Sequence, residues 1–197
     1  MEFLELVKSR HSVRGYSERP VEEKKLRHVL ECARLSPSAR NSQVWRFVVV
    51  KDEEVKKKIT AAMPFFNSFA SKAPVIIVAC AEGKSSSHNG QEYYLVDVAI
   101  ALEHLVLAAS EKGLGTCWMA AFDEEKVKEA LSIPKEVRVV AITPLGYPGS
   151  EGLVAKATGK IAKLVSPRKK IEEIAFLDGW GERLGKCSDP KAVADSA

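Results

Sequence analysis

One long apolar segment, residues 92–112 (EYYLVDVAIALEHLVLAASEK), constrains the fold of this chain more than any other stretch. Because it is apolar nearly all round, it predicts a helix that is buried on most of its faces. Gly113 and Gly115 follow directly and are typical of a helix end. We therefore expect the rest of the chain to be built around this central helix.

The remaining elements alternate in type along the chain. Helical spacing and capping residues predict helices over residues 2–9, 20–35, 53–62 and 124–131. β-Branched and apolar runs predict strands over residues 46–50, 73–81, 116–120 and 137–147. The sequence has no internal repeat and no linker. It therefore predicts one α+β domain over residues 1–178 and a polar, frayed tail over residues 179–197.

One long stretch, residues 149–175, has too little periodicity to suggest packing within a compact domain. It contains the basic cluster SPRKK and then a short helical pattern. We expect this stretch to pack on another surface, such as a partner subunit.

The composition excludes several classes of protein. The 197 residues are 46% hydrophobic and 28% charged, as is ordinary for a globular protein, and the net charge of +4 does not favour nucleic-acid binding. No apolar run reaches the roughly 18 residues of a membrane span, and the N-terminus is too charged for a signal peptide. We expect a cytoplasmic protein. The four cysteines are widely spaced and predict no metal site.

Common nucleotide-binding and hydrolase motifs do not fit the sequence. The stretch GLGTCW begins like a dinucleotide-binding loop, but Trp118 stands at the third glycine position and the stretch follows a helix instead of a strand. There is no P-loop, and no nucleophile elbow accompanies a histidine.

Four polar or glycine-led stretches remain. SRHSVRGY (9–16) places Arg10, His11, Ser12 and Arg14 within five positions. The others are SPSARNSQVW (36–45), GLGTCWMAAF (113–122) and SPRKK (166–170). Each alone has an ordinary structural interpretation as a turn, a core strand or a surface. The first stretch is typical of a solvated turn and is also consistent with a phosphate-binding site.

Taken together, and in this order, these stretches resemble the FMN-dependent nitroreductase family over about residues 2–178. The long helix running into GLGTCWMAAF carries the most specific part of the resemblance, and PLGYP (144–148) and SPRKKIEEI follow it. The resemblance implies a three-layer α/β/α sandwich with a mixed, mainly antiparallel sheet. It also implies an intertwined homodimer with two FMN sites at the subunit interface.

The resemblance assigns the first and last stretches to the cofactor phosphate and ring. Arg10 and Ser12 would hold the phosphate, together with Arg168 and Lys169. Guanidinium suits this role because its planar fork matches phosphate oxygens. His11 would reach the ribityl chain or the ring edge. Arg14 would lie by N1 and O2 of the flavin, where a cation favours the anionic reduced form.

The resemblance assigns the two middle stretches to the flavin ring. The loop would reach the flavin of the other subunit through Pro37, Ser38, Ala39 and Asn41. The strand lying along the flavin would contribute Cys117, Trp118, Met119 and Ala120. A backbone N–H between Met119 and Ala121 would face N5.

The sequence departs from the family pattern in several places. Val44 replaces the proline of the usual Gln-Pro-Trp, and Arg40 is a bulky charge where small residues are common. The loop at residues 82–91 has no clear family counterpart. It could lie near the mouth of the site, as could MPFFNSF (63–69) with Phe65, Phe66 and Asn67, although core packing explains the two phenylalanines equally well.

The implied activity is an oxidoreductase that takes hydride from NAD(P)H through FMN and passes it to an electron-poor acceptor, such as a nitroaromatic or a quinone. One shared pocket implies ping-pong kinetics, and the hydride step needs no protein acid or base. Two alternatives remain open. One is a specialised relative, namely a reductive dehalogenase, an ene-type reductase or a flavin-fragmenting enzyme. The other is a flavin-binding protein without turnover. The sequence does not distinguish NADH from NADPH.

Overall fold

The protein is described by a computed structural model that covers residues 2–83, 87–150 and 168–182. The helices are α1 (Phe3–Ser9), α2 (Glu23–Arg34), α3 (Glu53–Ala61), α4 (Tyr93–Glu111), α5 (Glu124–Leu131) and α6 (Ile171–Ile174). The strands are β1 (Trp45–Val50), β2 (Val75–Ala81), β3 (Ser87–His88), β4 (Gln91–Glu92), β5 (Gly115–Thr116) and β6 (Arg138–Gly146). Two 3₁₀ helices span Ala39–Asn41 and Phe65–Lys72. Most of the stretch at 149–175 and most of the predicted tail lie outside the described residues.

A four-stranded sheet forms the middle layer, in the order β1-β2-β6-β5, and every pair of neighbouring strands is antiparallel. Alternate side chains of β2 enter the two cores on either side of the sheet, which explains why its sequence is apolar without interruption. Val75, Ile77 and Ala79 pack in the core that contains α2 and α4. Ile76, Val78 and Cys80 pack in the core that contains α3 and α5. The predicted three-layer α+β sandwich is therefore confirmed.

Helix α4 is the central helix that its sequence predicts. Val98, Leu102 and Leu105 are fully buried in the core shared with the sheet and α2. By length and mean hydropathy alone, α4 would be long and apolar enough to cross a membrane, contrary to the expectation that no segment qualifies. Its buried face packs as a core helix does. Leu95 and Val96, near its start, stay exposed.

The strand predicted over residues 116–120 is shorter than expected. Regular pairing covers only Gly115–Thr116, and beyond it Met119 alone forms an isolated bridge with Ile142. Continuing the same register places Cys117 opposite Pro144, which has no N–H to donate to the neighbouring strand. The Cys117 N–H donates instead to the side-chain Oγ1 of Thr143, at 3.2 Å. The proline therefore explains the break in this edge strand.

The chain between α1 and α2 runs extended along the edge of the sheet. The Val13 N–H donates to the Thr116 carbonyl at 2.8 Å, and Ser12 forms a parallel bridge with Thr116. The Gly149 N–H donates to the Gly15 carbonyl at 2.9 Å. These bonds fix the polar stretch at residues 10–14 against the end of the sheet that follows α4.

Gly115 allows this close approach, since a Cβ there would lie only 2.6 Å from a side-chain carbon of Val13. We expect Gly115→Ala to reduce the free energy of unfolding by about 1–3 kcal/mol, the usual cost of overpacking a tight contact. Gly179→Ala is the matched control, because a Cβ at that glycine would meet nothing closer than 3.7 Å. Urea unfolding of both variants tests this, and equal stabilities would show that Val13 yields without cost.

Candidate functional site

The arginine segment, residues 10–14, follows α1 and lies beside the strand that follows α4. Arg10, Ser12 and Arg14 are half-buried and His11 is exposed. Arg10 and His11 help to line a cavity of about 210 Å³ whose other walls come from residues 113–116, Ser110 and Pro148. The His11 Nδ1 lies 3.0 Å from the Ser9 carbonyl. The structure thus brings all four predicted residues of this segment to one end of α4.

The arginine segment affects the pKa values of two neighbouring groups, Cys117 and Tyr16. Burial raises the pKa of the Cys117 thiol, whereas Arg14, Ser12 and Arg10 each lower it. Burial likewise raises the pKa of Tyr16 well above its ordinary value; the neighbouring Cys117 adds to that rise and Arg14 opposes it. Ser12 pairs with Thr116, the residue before Cys117, so the arginine segment runs beside this thiol at the sheet edge.

Neither guanidinium is neutralised there. Within the described ranges, no carboxylate lies within ion-pairing distance of Arg10 or Arg14. Among the residues that the structure describes, Arg14 donates only to the Ser12 carbonyl, at 3.4 Å. Partly buried charge is costly unless it is paired, so two unpaired guanidiniums beside a hydroxyl form a suitable site for an anion such as a phosphate.

The predicted flavin strand presents alternate side chains. Cys117 and Met119 are buried in the core beneath the sheet, while Trp118 and Ala120 are exposed. The Met119 N–H already donates to the Ile142 carbonyl, at 2.9 Å. In the described parts of the chain, the N–H groups of Ala120 and Ala121 have no hydrogen-bond partner. The Cys117 and Met119 side chains therefore face away from the exposed side of this strand. Of the N–H groups expected at N5, those of Ala120 and Ala121 remain available in the described chain.

The loop at residues 36–43 is built from side-chain to backbone hydrogen bonds. The Gln43 N–H donates to the Ser38 hydroxyl at 3.0 Å, and the Asn41 N–H donates to the Ser38 carbonyl at 3.1 Å. The Ala39 N–H donates to the carboxylate of Asp97 on α4, at 2.9 Å. Pro37 and Asn41 are exposed, and Ser38 and Ala39 are half-buried. Sequence reasoning missed Asp97, although a carboxylate set between apolar residues near the start of this helix could have suggested it.

The loop and the arginine segment lie at opposite ends of α4. The loop is anchored at Asp97, near the start of the helix, while the segment lies beyond Glu111 at its end. At 1.5 Å per residue, the 14 residues between these two positions span about 21 Å. A single chain therefore keeps apart two stretches that the family resemblance assigns to different flavins, the loop to the flavin of the other subunit.

The basic residues Arg168 and Lys169 precede α6 and are exposed. As far as the structure describes the chain, neither makes a hydrogen bond or an ion pair with the arginine segment. Their predicted role at the phosphate thus has no contact to support it within one chain.

The two phenylalanines suspected at the mouth are exposed instead of packed in the core, whereas the neighbouring Asn67 is buried. Phe65 and Phe66 are 77% and 50% exposed, so the core-packing alternative is wrong for this chain. Asn67 is buried, and its amide Nδ2 donates to the Ala121 carbonyl at 3.4 Å. This bond holds the segment at residues 63–69 next to the end of the predicted flavin strand. The loop at residues 82–91 includes the small hairpin of β3 and β4.

Comparison with known proteins gives consistent matches. The Nitroreductase family model matches residues 7–64 and 61–147. A nitroreductase family protein of Clostridium novyi NT is 39% identical, with a TM-score of 0.72, over 93% of this chain and 97% of its own. An FMN reductase [NAD(P)H] of Bacillus subtilis is 30% identical over 73% of this chain and 66% of its own. A 5,6-dimethylbenzimidazole synthase of Rhodospirillum rubrum is 32% identical over 72% of this chain and 80% of its own.

Proposed function

This chain belongs to the nitroreductase family, and on that premise we propose that it is an FMN-dependent oxidoreductase. It takes hydride from NAD(P)H and passes electrons to an electron-poor acceptor, such as a nitroaromatic or a quinone, with ping-pong kinetics. One observation carries the proposal: two half-buried guanidiniums, Arg10 and Arg14, flank the Ser12 hydroxyl without a carboxylate partner among the described residues.

The residues present fit FMN. Arg10 and Ser12 would hold the phosphate through charge-assisted hydrogen bonds, with Arg168 and Lys169 as further candidates from the late basic stretch. Trp118 and Ala120 would lie along the flavin, and Ala120 or Ala121 could donate its N–H, which has no partner among the described residues. When bound, FMN supplies the capacity to accept and donate hydride. The chain contributes binding, orientation and charge, because hydride transfer needs no protein acid or base.

We also propose that the site is completed by a second copy of the chain. The separation of about 21 Å between the two ends of α4 supports this, because it places the loop far from the arginine segment of its own chain. Exposed apolar side chains also support it. They lie on α1, at the start of α4 and from α6 onward, and comprise Phe3, Leu4, Val7, Leu95, Val96, Ile171, Ile174, Leu177 and Trp180. Such an area of apolar surface is typical of a protein interface.

The proposal is tested by identifying the flavin that the purified protein carries and by measuring its reduction by nicotinamides. The purified protein should be yellow, should release FMN and not FAD, and should lose its flavin absorbance when NADH or NADPH is added anaerobically. FAD, or no flavin even after FMN is supplied, would refute the proposal. Bound FMN that neither nicotinamide reduces would favour a specialised relative or a flavin-binding protein without turnover. The 32% identity to the 5,6-dimethylbenzimidazole synthase is the reason to test for a specialised relative.

Arg14 should affect the reduction potential of the flavin more than its affinity. It is half-buried beside Tyr16 and Cys117, and by family resemblance it lies near N1 and O2 of the ring. A cation there stabilises the reduced, anionic flavin. For a two-electron couple, ~1.4 kcal/mol corresponds to ~30 mV, so Arg14→Gln should lower the midpoint potential by a few tens of millivolts. Spectroelectrochemistry tests this, and an unchanged potential with FMN affinity lost instead would give Arg14 a holding role.

A further inference from the structure

Asp97 is a buried carboxylate with an unusual set of partners. It is 2% exposed on α4, and in the described chain it makes no ion pair. Its Oδ1 accepts the Ala39 N–H at 2.9 Å, and its Oδ2 accepts the Ser42 hydroxyl at 3.0 Å. Buried carboxylates are retained only where hydrogen bonds compensate their lost hydration. Both of these hydrogen bonds to the Asp97 carboxylate come from the loop at residues 36–43.

That loop adopts a conformation that its sequence disfavours. Arg40, Asn41 and Gln43 have φ values of +54°, +55° and +46°, in the left-handed region where a Cβ is unfavourable. Non-glycine residues persist there only when their surroundings hold them, and such residues cluster at functional sites. The two bonds to Asp97 flank Arg40 and Asn41, and therefore hold the loop on both sides of its strained turn.

We propose that Asp97 is a positioning residue for the flavin site, whose carboxylate holds the 36–43 loop in the conformation that meets the cofactor of the partner subunit. The inference rests on the proposed function, because the loop has a cofactor to meet only if the chain binds FMN at a subunit interface. Asp97 itself is buried beneath the loop and acts through Ala39 and Ser42. Its role is preorganisation, since a loop that is already ordered costs less free energy to bind.

The test compares Asp97→Ala, which removes both bonds, with Asp97→Asn. An asparagine can accept from the Ala39 N–H through its oxygen and can donate to the Ser42 hydroxyl through its amide, so it restores both contacts. Ser36→Ala is the matched control. It removes a different side-chain hydrogen bond between this loop and α4, the one between Ser36 Oγ and His104 Nδ1 at 2.7 Å, without touching the strained turn.

Two quantities are measured on the dimer: the Kd for added FMN and the amide hydrogen exchange of residues 38–42 in the apoprotein. We expect Asp97→Ala to raise the Kd at least about tenfold and to speed exchange in the loop. Asp97→Asn and Ser36→Ala should stay within about threefold of the wild-type Kd. Should Asp97→Ala fail to fold, Ser42→Ala, which removes one of the two bonds, should raise the Kd several-fold.

A wild-type Kd in Asp97→Ala, or in Ser42→Ala if the first variant does not fold, would overturn the positioning role. An equal loss of FMN affinity in Ser36→Ala would also overturn it, because any loosening of the loop would then suffice. These outcomes leave the proposed function standing, since the wild-type dimer still binds FMN in them. A wild-type chain that binds no FMN overturns the proposed function and this inference together.

Discussion

Replacing Leu95 by aspartate should convert the dimer into a folded monomer that retains no FMN. Leu95 is an exposed apolar residue at the start of α4, close to the anchor of the 36–43 loop. In the proposed dimer this face is covered by the partner, and a twofold interface buries the substituted residue twice. An unpaired buried carboxylate costs about 3–5 kcal/mol, or about two to four powers of ten in affinity for each copy.

Light scattering measures the oligomeric state, circular dichroism shows whether the variant is folded, and flavin absorbance gives its FMN content. Because Leu95 is exposed in the single chain, the substitution should leave the far-ultraviolet spectrum of the monomer unchanged. Leu95→Met, which conserves volume and apolarity, is the control and should remain a yellow dimer. A dimeric Leu95→Asp protein with full FMN content would place the interface elsewhere.

Replacing Arg10 by alanine should weaken FMN binding by about one to two powers of ten. The loss of a charge-assisted hydrogen bond costs about 1.5–3 kcal/mol, and no carboxylate among the described residues competes for this guanidinium. Lys169→Ala should change the affinity by much less. Lys169 is exposed, and an exposed charge pair contributes about 0–1 kcal/mol.

Titrating the apoproteins with FMN and following the quenching of flavin fluorescence gives both dissociation constants. The ratio of the two effects is more informative than either value, because both substitutions remove one positive charge from the protein. Equal effects would mean that long-range charge, and not a specific contact of Arg10, holds the phosphate.

The fold was predictable from the sequence wherever a pattern is local. Helix α4 is apolar along its length, β2 is apolar on both sides, and Asp123 caps α5 by accepting the Lys126 N–H. The sequence of residues 116–120 predicts a strand but does not show how short its regular pairing is. Its length depends on Pro144, which lies far along the chain and meets Cys117 only through the register of the sheet.

The candidate site divides in the same way. The arginine segment is contiguous, so its residues could be identified together. Asp97 meets its partners 55 and 58 residues away in sequence, and nothing beside it in α4 indicates that pairing. The exposure of Phe65 and Phe66 was equally unpredictable, because phenylalanine is most often buried and the local sequence does not mark these two as exceptions.

A mixed dimer tests most directly whether one FMN site is shared between two subunits. One subunit carries Arg10→Ala and the other carries Asp97→Ala, each with a different affinity tag, and the heterodimer is isolated after co-expression. If the loop serves the partner's cofactor, both changes fall on one site and the other site is native. The heterodimer should then bind one FMN with wild-type affinity, although neither parent homodimer does. A heterodimer that binds FMN no better than its weakened parents would contradict the shared site.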